Sequence, residues 1–441
     1  MGRMGRLGKL AALAVALMMI LCGCEYSFFS PEAAMRAPRA TGQGQDIQEA
    51  LEAAVGKDII LKYPRTGKIR SAFLPHDVDG DGVDEVFAFY QLRNEVGVTR
   101  IHLLRMQEDH WVTVQDMPPA GTSLNTVEFA DLDGDGIDEI LTGWGMANST
   151  ENLLCIYQFD VERGRIIQRA SEKYTEYFVF DFNRTGKCEV GIIHLNTTLN
   201  SAIMTVVDFT KTMTIVGSVQ LDASVTSYLR VQVARLDNGN AAIYIDAYKG
   251  PDTTVTEVVV YNGKEFRNLY LDPTTNSTVL TQRPWVAKVQ DINNDGKLDI
   301  PFSVPLPFDV LSGYSQQYLT RWQTYNGESY TTALNAWYCF NDHYYLVFDK
   351  RWENEVTVQY DPDKHEAIFS EWNPSSSTVG EELLRIQMVG IEDWESKADE
   401  GYAAITQTDD VVYAAKISES TSKNAITARQ LLDSFYLVLT T

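Results

Sequence analysis

A nine-residue acidic pattern recurs along the chain at a nearly fixed interval, and this recurrence limits the fold more than any other feature. It is complete three times, as Asp77-Val-Asp-Gly-Asp-Gly-Val-Asp-Glu85, Asp131-Leu-Asp-Gly-Asp-Gly-Ile-Asp-Glu139 and Asp291-Ile-Asn-Asn-Asp-Gly-Lys-Leu-Asp299. Oxygen side chains stand at positions 1, 3 and 5 and an acid at position 9. With the backbone carbonyl of position 7 they can surround one hard cation, which takes roughly 6–8 oxygens at about 2.3–2.6 Å. Glycine at position 6 (Gly82, Gly136, Gly296) supplies the left-handed conformation that the turn requires. The predicted Ca2+ ligands are therefore Asp77, Asp79, Asp81, the Val83 carbonyl and Glu85; Asp131, Asp133, Asp135, the Ile137 carbonyl and Glu139; and Asp291, Asn293, Asp295, the Lys297 carbonyl and Asp299. About three structural calcium ions are expected.

The closing acid falls at position 9, whereas an EF-hand closes at position 12 and is flanked by helices. Here β-type sequence follows at once, as in Val86-Phe-Ala-Phe-Tyr90 and Ile140-Leu-Thr-Gly-Trp144, so the loops join strands. Two decayed copies fill the gap between the second and third loops. Asp181, Asn183, Thr185 and Glu189 keep the oxygen positions around Gly186 and form a weak metal candidate, while Asp237-Asn-Gly-Asn240 keeps only a turn. The first positions at 77, 131, 181, 237 and 291 are separated by 54, 50, 56 and 54 residues. A period of about 54 residues, with hairpin signals such as Asn262-Gly263 and Asn326-Gly327 inside it, predicts about four short strands per repeat.

With these loops and strands, the stretch from about residue 60 to 335 resembles the VCBS and FG-GAP repeats of integrin-like β-propellers, and the chain resembles repeat-bearing lipoproteins of Gram-positive bacteria. The Phe-Gly and Gly-Ala-Pro signatures of the FG-GAP group are missing. The resemblance implies a mainly β fold with a propeller of about five repeats over residues 46–336. Beyond it, strand-like segments between 344 and 417 are followed by a helix predicted from Thr427, where Thr427 and Gln430 have capping-box spacing. Residues 337–441 are read as a small C-terminal α+β domain, with Leu431, Leu432 and Phe435 of a 427–439 helix on its sheet. The alternative is two degenerate blades completing a single seven-bladed propeller.

Arg3, Arg6 and Lys9 precede an apolar run to Leu21, and Leu21-Cys-Gly-Cys24 resembles a bacterial lipobox. Residues 1–23 then form a lipoprotein signal peptide, Cys24 carries the lipid, and 24–45 form a flexible tether. The expected location is the extracytoplasmic face of the cell membrane. The net charge is −23, and removal of three basic residues with the signal leaves about −26, which excludes a phosphate backbone as partner. The sequence contains no metalloprotease, serine-hydrolase, phosphate-loop or dinucleotide motif. Two function classes follow: a calcium-stabilised binding or scaffold module for a glycan or envelope protein, and a carbohydrate-active enzyme on the same fold. Converging carboxylates or a Tyr/His/Arg cluster outside the metal loops would favour the enzyme; an aromatic patch without them would favour the binder.

Overall fold

A computed structural model describes residues 43–438, apart from 148, 150, 211 and 252. The signal segment, Cys24 and the tether up to residue 42 lie outside the described residues. Six main antiparallel sheets follow one another along the chain, three with four strands and three with five, and a two-stranded hairpin of Leu271–Asp272 and Ser277–Thr278 lies between the fourth and fifth. The first holds Phe73–His76, Glu85–Leu92, Arg100–Gln107 and His110–Met117, with the short Ile59–Leu61 added to Glu85–Leu92. Ser123–Ala130, Glu139–Gly145, Asn152–Asp160 and Arg165–Tyr174 make the second. The third is built from Glu176–Phe180, Glu189–Asn196, Ser201–Asp208 and Thr214–Gln220, and the fourth from Ser227–Arg235, Ala241–Tyr248, Thr254–Tyr261 and Phe266–Asn268. Each is a simple meander, and each acidic loop leads into the second strand of its repeat. That strand is an almost continuous apolar run, because both its faces are covered: Glu85–Gln91 and Ala241–Ala247 are buried throughout.

The fifth sheet departs from the repeat at both edges. Its inner segment, just before the 291 loop, makes only an isolated bridge between Gln290 and Asp299. Asp299–Pro305, Tyr318–Tyr325, Tyr330–Cys339 and Tyr344–Val347 follow, and the last strand of the chain, Phe435–Leu437, adds to the outer edge. The domain boundary expected between 336 and 337 thus falls inside a strand, and residues 344–347 and 435–437 complete the fifth sheet. The final helix is Ala428–Ser434, shorter than the predicted 427–439, although the Thr427/Gln430 capping box is formed. Leu431 and Phe435 are buried, while Leu432 is 54% exposed and faces solvent. The sixth sheet has the order Val356–Asp361, Glu366–Asn373, Thr378–Gly390, Val411–Ile417, Ala403–Gln407.

Apolar clusters join successive sheets: Phe87, Leu103, Ile140 and Tyr157 link first to second, Leu141, Ile156, Ile192 and Val207 second to third, Ile193, Val206, Ile243 and Val259 third to fourth. Tyr244, Val258, Ile300 and Phe302 link fourth to fifth, and Trp337, Tyr344, Phe369 and Ile386 fifth to sixth. Among the described residues no strand pairs the first sheet with the sixth, and no such cluster joins them. The free face of the first sheet is covered instead by helix Gln43–Val55, whose Ile47 and Leu51 pack on Val86, Tyr90 and Leu104. This helix begins within the segment read as tether. At the other end Trp394, which opens helix Trp394–Asp399, packs on Tyr402, Val412 and Ala414. Among the described residues the sheets therefore stand in an open row with a helix at each end, and neither a closed five-bladed nor a seven-bladed ring is formed.

Candidate metal centres

The acidic loops share one backbone template. In four of them the position-1 aspartate accepts from the glycine N–H at position 6: Gly82 to Asp77 (2.9 Å), Gly136 to Asp131 (3.0 Å), Gly186 to Asp181 (2.9 Å) and Gly296 to Asp291 (2.7 Å). These glycines have φ of 87°, 87°, 83° and 84°, a region in which other residues are strained. The position-9 acid likewise accepts from the N–H of position 2, as Val78 to Glu85 and Leu132 to Glu139 illustrate. Even the Asp181 loop, read as decayed, keeps this bond from Phe182 to Glu189 (3.0 Å). At position 5, Asp81, Asp135 and Asp295 each accept from the following Val83, Ile137 and Lys297 N–H.

What differs is the residue facing the position-9 acid across the next strand. Strand register puts Thr324 opposite Asp299 and, continued by one residue past the last paired positions, Arg105 opposite Glu85, Gln158 opposite Glu139 and Asp208 opposite Glu189. In the first loop Arg105 donates to Glu85 (2.8 Å) and pairs with Asp79, so a guanidinium already neutralises part of the cluster. In the second, Gln158 donates only to Asp133 (2.9 Å). Glu139 is 1% exposed, its Oε1 has no hydrogen-bond partner, and burial pushes its carboxyl up to about 7. A buried orphan oxygen surrounded by Asp131, Asp133 and Asp135 fits a cation as its missing partner. In the third loop Asn183 donates to Glu189 (2.6 Å), and Asp208 is taken by Lys187. In the last, Thr324 donates to Asp299 (2.5 Å) and Asn293 to Asp295 (3.1 Å).

Two clusters among the described residues bring three carboxylates within 4.8 Å of one another: Asp77, Asp79 and Glu85, and Asp131, Asp133 and Glu139. Both are compatible with Ca2+. The 291 loop keeps the fold of the others, but its amide and hydroxyl satisfy its acids internally, and the 181 loop does the same through Asn183. Arg105 was not anticipated from the sequence; the signal lay in its strand register with Glu85. Asp138, at position 8, points away from its loop and pairs with His76 (3.0 Å), which stacks on Phe129. Asp84 is exposed.

Away from the loops, Glu257 is fully buried and accepts from Asp222 N (2.8 Å) and Asn268 Nδ2 (2.6 Å), while its Oε1 has no partner. Burial pushes its carboxyl from 4.5 to about 8. Because the folded-state value lies above the unfolded one, the native state holds the proton more tightly, and stability falls as pH rises from 4.5 towards 8. Each unit of difference corresponds to about 1.4 kcal/mol. Glu257→Gln should therefore raise the melting temperature at pH 9 by several degrees and flatten the decline between those pH values, as thermal melts across pH would register. An unchanged profile would mean that Glu257 does not titrate in this window.

Asp342 is buried between the fifth and sixth sheets, where Tyr360 Oη (3.0 Å), Cys339 Sγ (3.3 Å) and His365 Nδ1 (2.5 Å) all meet its carboxylate. Both its oxygens are engaged, so this cluster ties two sheets together. Beside it lies a cleft of about 250 Å3 at the Pro305 end of the fifth sheet, lined by Trp285, Gln317, Tyr318, Tyr338, Phe340 and Asn341 among others. Trp285 stacks on Phe340 at 5.8 Å and Phe340 on Tyr338 at 5.2 Å. A larger cavity, about 550 Å3, is lined by Glu151, Glu176, Asn196, Thr226 and Tyr228; burial pushes the Glu176 carboxyl up to about 7. Trp144 is a core residue, 1% exposed, with its Nε1 donating to Thr142 (2.7 Å).

The row of sheets and its carboxylate loops define a mainly β protein built from propeller-type repeats. Residues 77–142, which span both carboxylate clusters, match the family model of the FG-GAP-like repeat. No protein of curated function matches the sequence significantly. Similar solved structures include an α-L-arabinofuranosidase of Fusarium graminearum in complex with arabinobiose (10% identity, TM-score 0.31, covering 74% of this chain and 96% of that one). A periplasmic gluconolactonase of Pseudomonas aeruginosa (9%, 0.29, 72% and 86%) and an endo-arabinase from Bacteroides thetaiotaomicron (11%, 0.27, 62% and 96%) are also similar. At these identities and TM-scores none of them bears on the chemistry of this chain.

Proposed function

We propose that this protein is a calcium-stabilised binding module, held at the outer face of the cell membrane by a lipid on Cys24, whose repeats present a surface for a glycan or envelope-protein ligand. The observation that carries this reading is a separation of two chemistries. Among the described residues the groups of three carboxylates close enough to share a metal belong to the loops, whereas the aromatic cleft of the fifth sheet, at the far end of strand Asp299–Pro305 from the 291 loop, has no carboxylate in its lining and meets Asp342 only through the Tyr360 hydroxyl. Calcium in the 77 and 131 loops, and more weakly in the 291 loop, serves stability. A binding screen of glycans and envelope proteins, with calcium and with chelator, tests the reading; failure to retain any ligand in either condition would sink it. Cys24→Ser should move the protein from the membrane fraction to the medium, measured by fractionation, and a variant that stays membrane-bound would refute lipid anchoring.

A second reading, a carbohydrate-active enzyme, is favoured by one observation. Glu176, with a carboxyl near 7, lines a cavity of about 550 Å3 beside Tyr228, where a protonated acid could serve a glycosidic leaving group. Release of reducing ends from a polysaccharide, lost in Glu176→Gln, would establish it.

A further inference from the structure

The outer strands of the fifth sheet alternate two faces. Trp337, Tyr344, Leu346 and Phe435 point into the core shared with the sixth sheet, and all are buried. Their neighbours Tyr338, Tyr345 and Tyr436 occupy the other face in direct cross-strand register, Tyr338 opposite Tyr345 and Tyr345 opposite Tyr436. Rings on this second face stack in sequence: Tyr436 on Tyr345 at 5.1 Å, Tyr345 on Tyr338 at 4.8 Å, Tyr338 on Phe340 at 5.2 Å and Phe340 on Trp285 at 5.8 Å. The aromatic run is partly exposed: Trp285, Tyr338, Phe340 and Tyr345 are half-buried, and Tyr436 at its end is 46% exposed.

Where the run reaches Trp285 the surface is concave, and the polar groups there are neutral. Amides of Gln316, Gln317 and Asn341 and phenols of Tyr318, Tyr338 and Tyr360 line the cleft with the aromatic rings, and no Asp, Glu, Lys, Arg or His does so. Gln317 is held in place by the indole N–H of Trp337 (3.2 Å). Trp285 Nε1 is shielded from solvent and lacks an acceptor within the protein. This combination selects a ligand with apolar C–H faces for the rings and neutral hydroxyls for the amides. An anionic ligand would find no cation in the cleft of a chain carrying −23, and a cationic one would be drawn to the acidic loops. At about 250 Å3 the cleft falls below the roughly 300–1,000 Å3 of a drug-sized ligand site, which limits its occupant to a small unit.

From this geometry we infer that the Trp285–Phe340 cleft is a saccharide subsite that receives one neutral sugar unit of a glycan. The inference rests on the binding-module reading and assigns that reading a ligand class and a place. Its test uses the full mature chain with Cys24→Ser, to keep it free of membrane, and titrates it with dextran, mannan and galactan, with polygalacturonate and heparin as anionic controls. The expected result is calcium-loaded protein that binds a neutral polysaccharide and quenches or enhances its tryptophan emission on doing so. Trp285→Ala and Phe340→Ala should each weaken binding at least tenfold, as truncation of an aromatic anchor does. Trp285→Phe should restore most of it, and the variants should melt with the parent. If neutral polysaccharides bind equally well to the parent and to both alanine variants, the subsite is elsewhere and only this inference fails. Binding of the anionic polymers alone would overturn it as well. Absence of any glycan or envelope-protein ligand would remove the binding-module reading itself.

Discussion

A fragment ending at residue 336 should be insoluble. Truncation there cuts strand Tyr330–Cys339 before its end, removes Tyr344–Val347 and Phe435–Leu437, and takes away the whole sixth sheet. Leu306 and Leu319 would lose the partners that bury them, and the remnant of strand Tyr330–Cys339, deprived of Tyr344–Val347, would become an exposed edge ready to pair with other chains. Expression of 46–336 beside 43–441 should place the fragment in the pellet, or in large aggregates by light scattering. A monodisperse, cooperatively melting 46–336 fragment would show that the fifth sheet does not need its C-terminal strands. A point substitution reports the same dependence. Phe435 is buried and stacks on Tyr344 at 5.0 Å, so Phe435→Ala should cost about 3–5 kcal/mol, whereas Leu432→Ala, in the preceding helix Ala428–Ser434 but exposed, should change little.

Asp131→Ala should destabilise the protein more than any other single loop substitution and should remove most of its response to chelator. Asp131 accepts from Gly134 (2.6 Å) and Gly136 (3.0 Å), and it belongs to the cluster in which Glu139 has an unpartnered buried oxygen. A cation that binds only the native state adds about 2.7 kcal/mol at a hundredfold excess over its Kd. Asp77→Ala should have a smaller chelator-dependent part, because Arg105 already offsets charge on Asp79 and Glu85. Calorimetric melts of the three proteins with calcium and with chelator give the comparison. Identical melts in both conditions for the parent chain would show that the loops do not hold metal. Equal losses at 77 and 131 would show that Arg105 does not weaken the first site.

Much of this was legible from local sequence. The loops announced themselves because a tight turn with three or four inward oxygens needs fixed residue types at fixed positions, and Gly82, Gly136, Gly186 and Gly296 have the positive φ their place required. The capping box at Thr427 was legible for the same reason, since its two bonds span three residues. The helix end was not, because Phe435-Tyr436-Leu437 suits an apolar helical face as well as a strand, and what decides is pairing with Tyr344–Leu346, about ninety residues earlier in the chain. Row or ring was equally hidden: the same repeat period serves both, and the difference lies in helix Gln43–Val55 occupying the face where a neighbouring sheet would close the circle. Arg105 and the aromatic cleft escaped for a related reason. Neither has a spacing of its own; register across strands creates the first, and chain folding brings Trp285, Tyr318 and Phe340 together to make the second.

The helices that terminate the row bear on how such a chain can change. In a circular array every unit must subtend a matching angle, so one gained or lost repeat misfits all the rest. A linear array behaves as a one-dimensional lattice, in which each unit answers only to the two beside it and the end units need a surface that does not invite another. Duplication of the stretch 123–174, for instance, would ask only that a second-sheet face accept a copy of itself, while Ile47 and Leu51 at one end and Trp394 at the other would continue to seal the assembly. Length in this architecture is thus free to drift, and selection can act on the reach of the molecule without rebuilding its core.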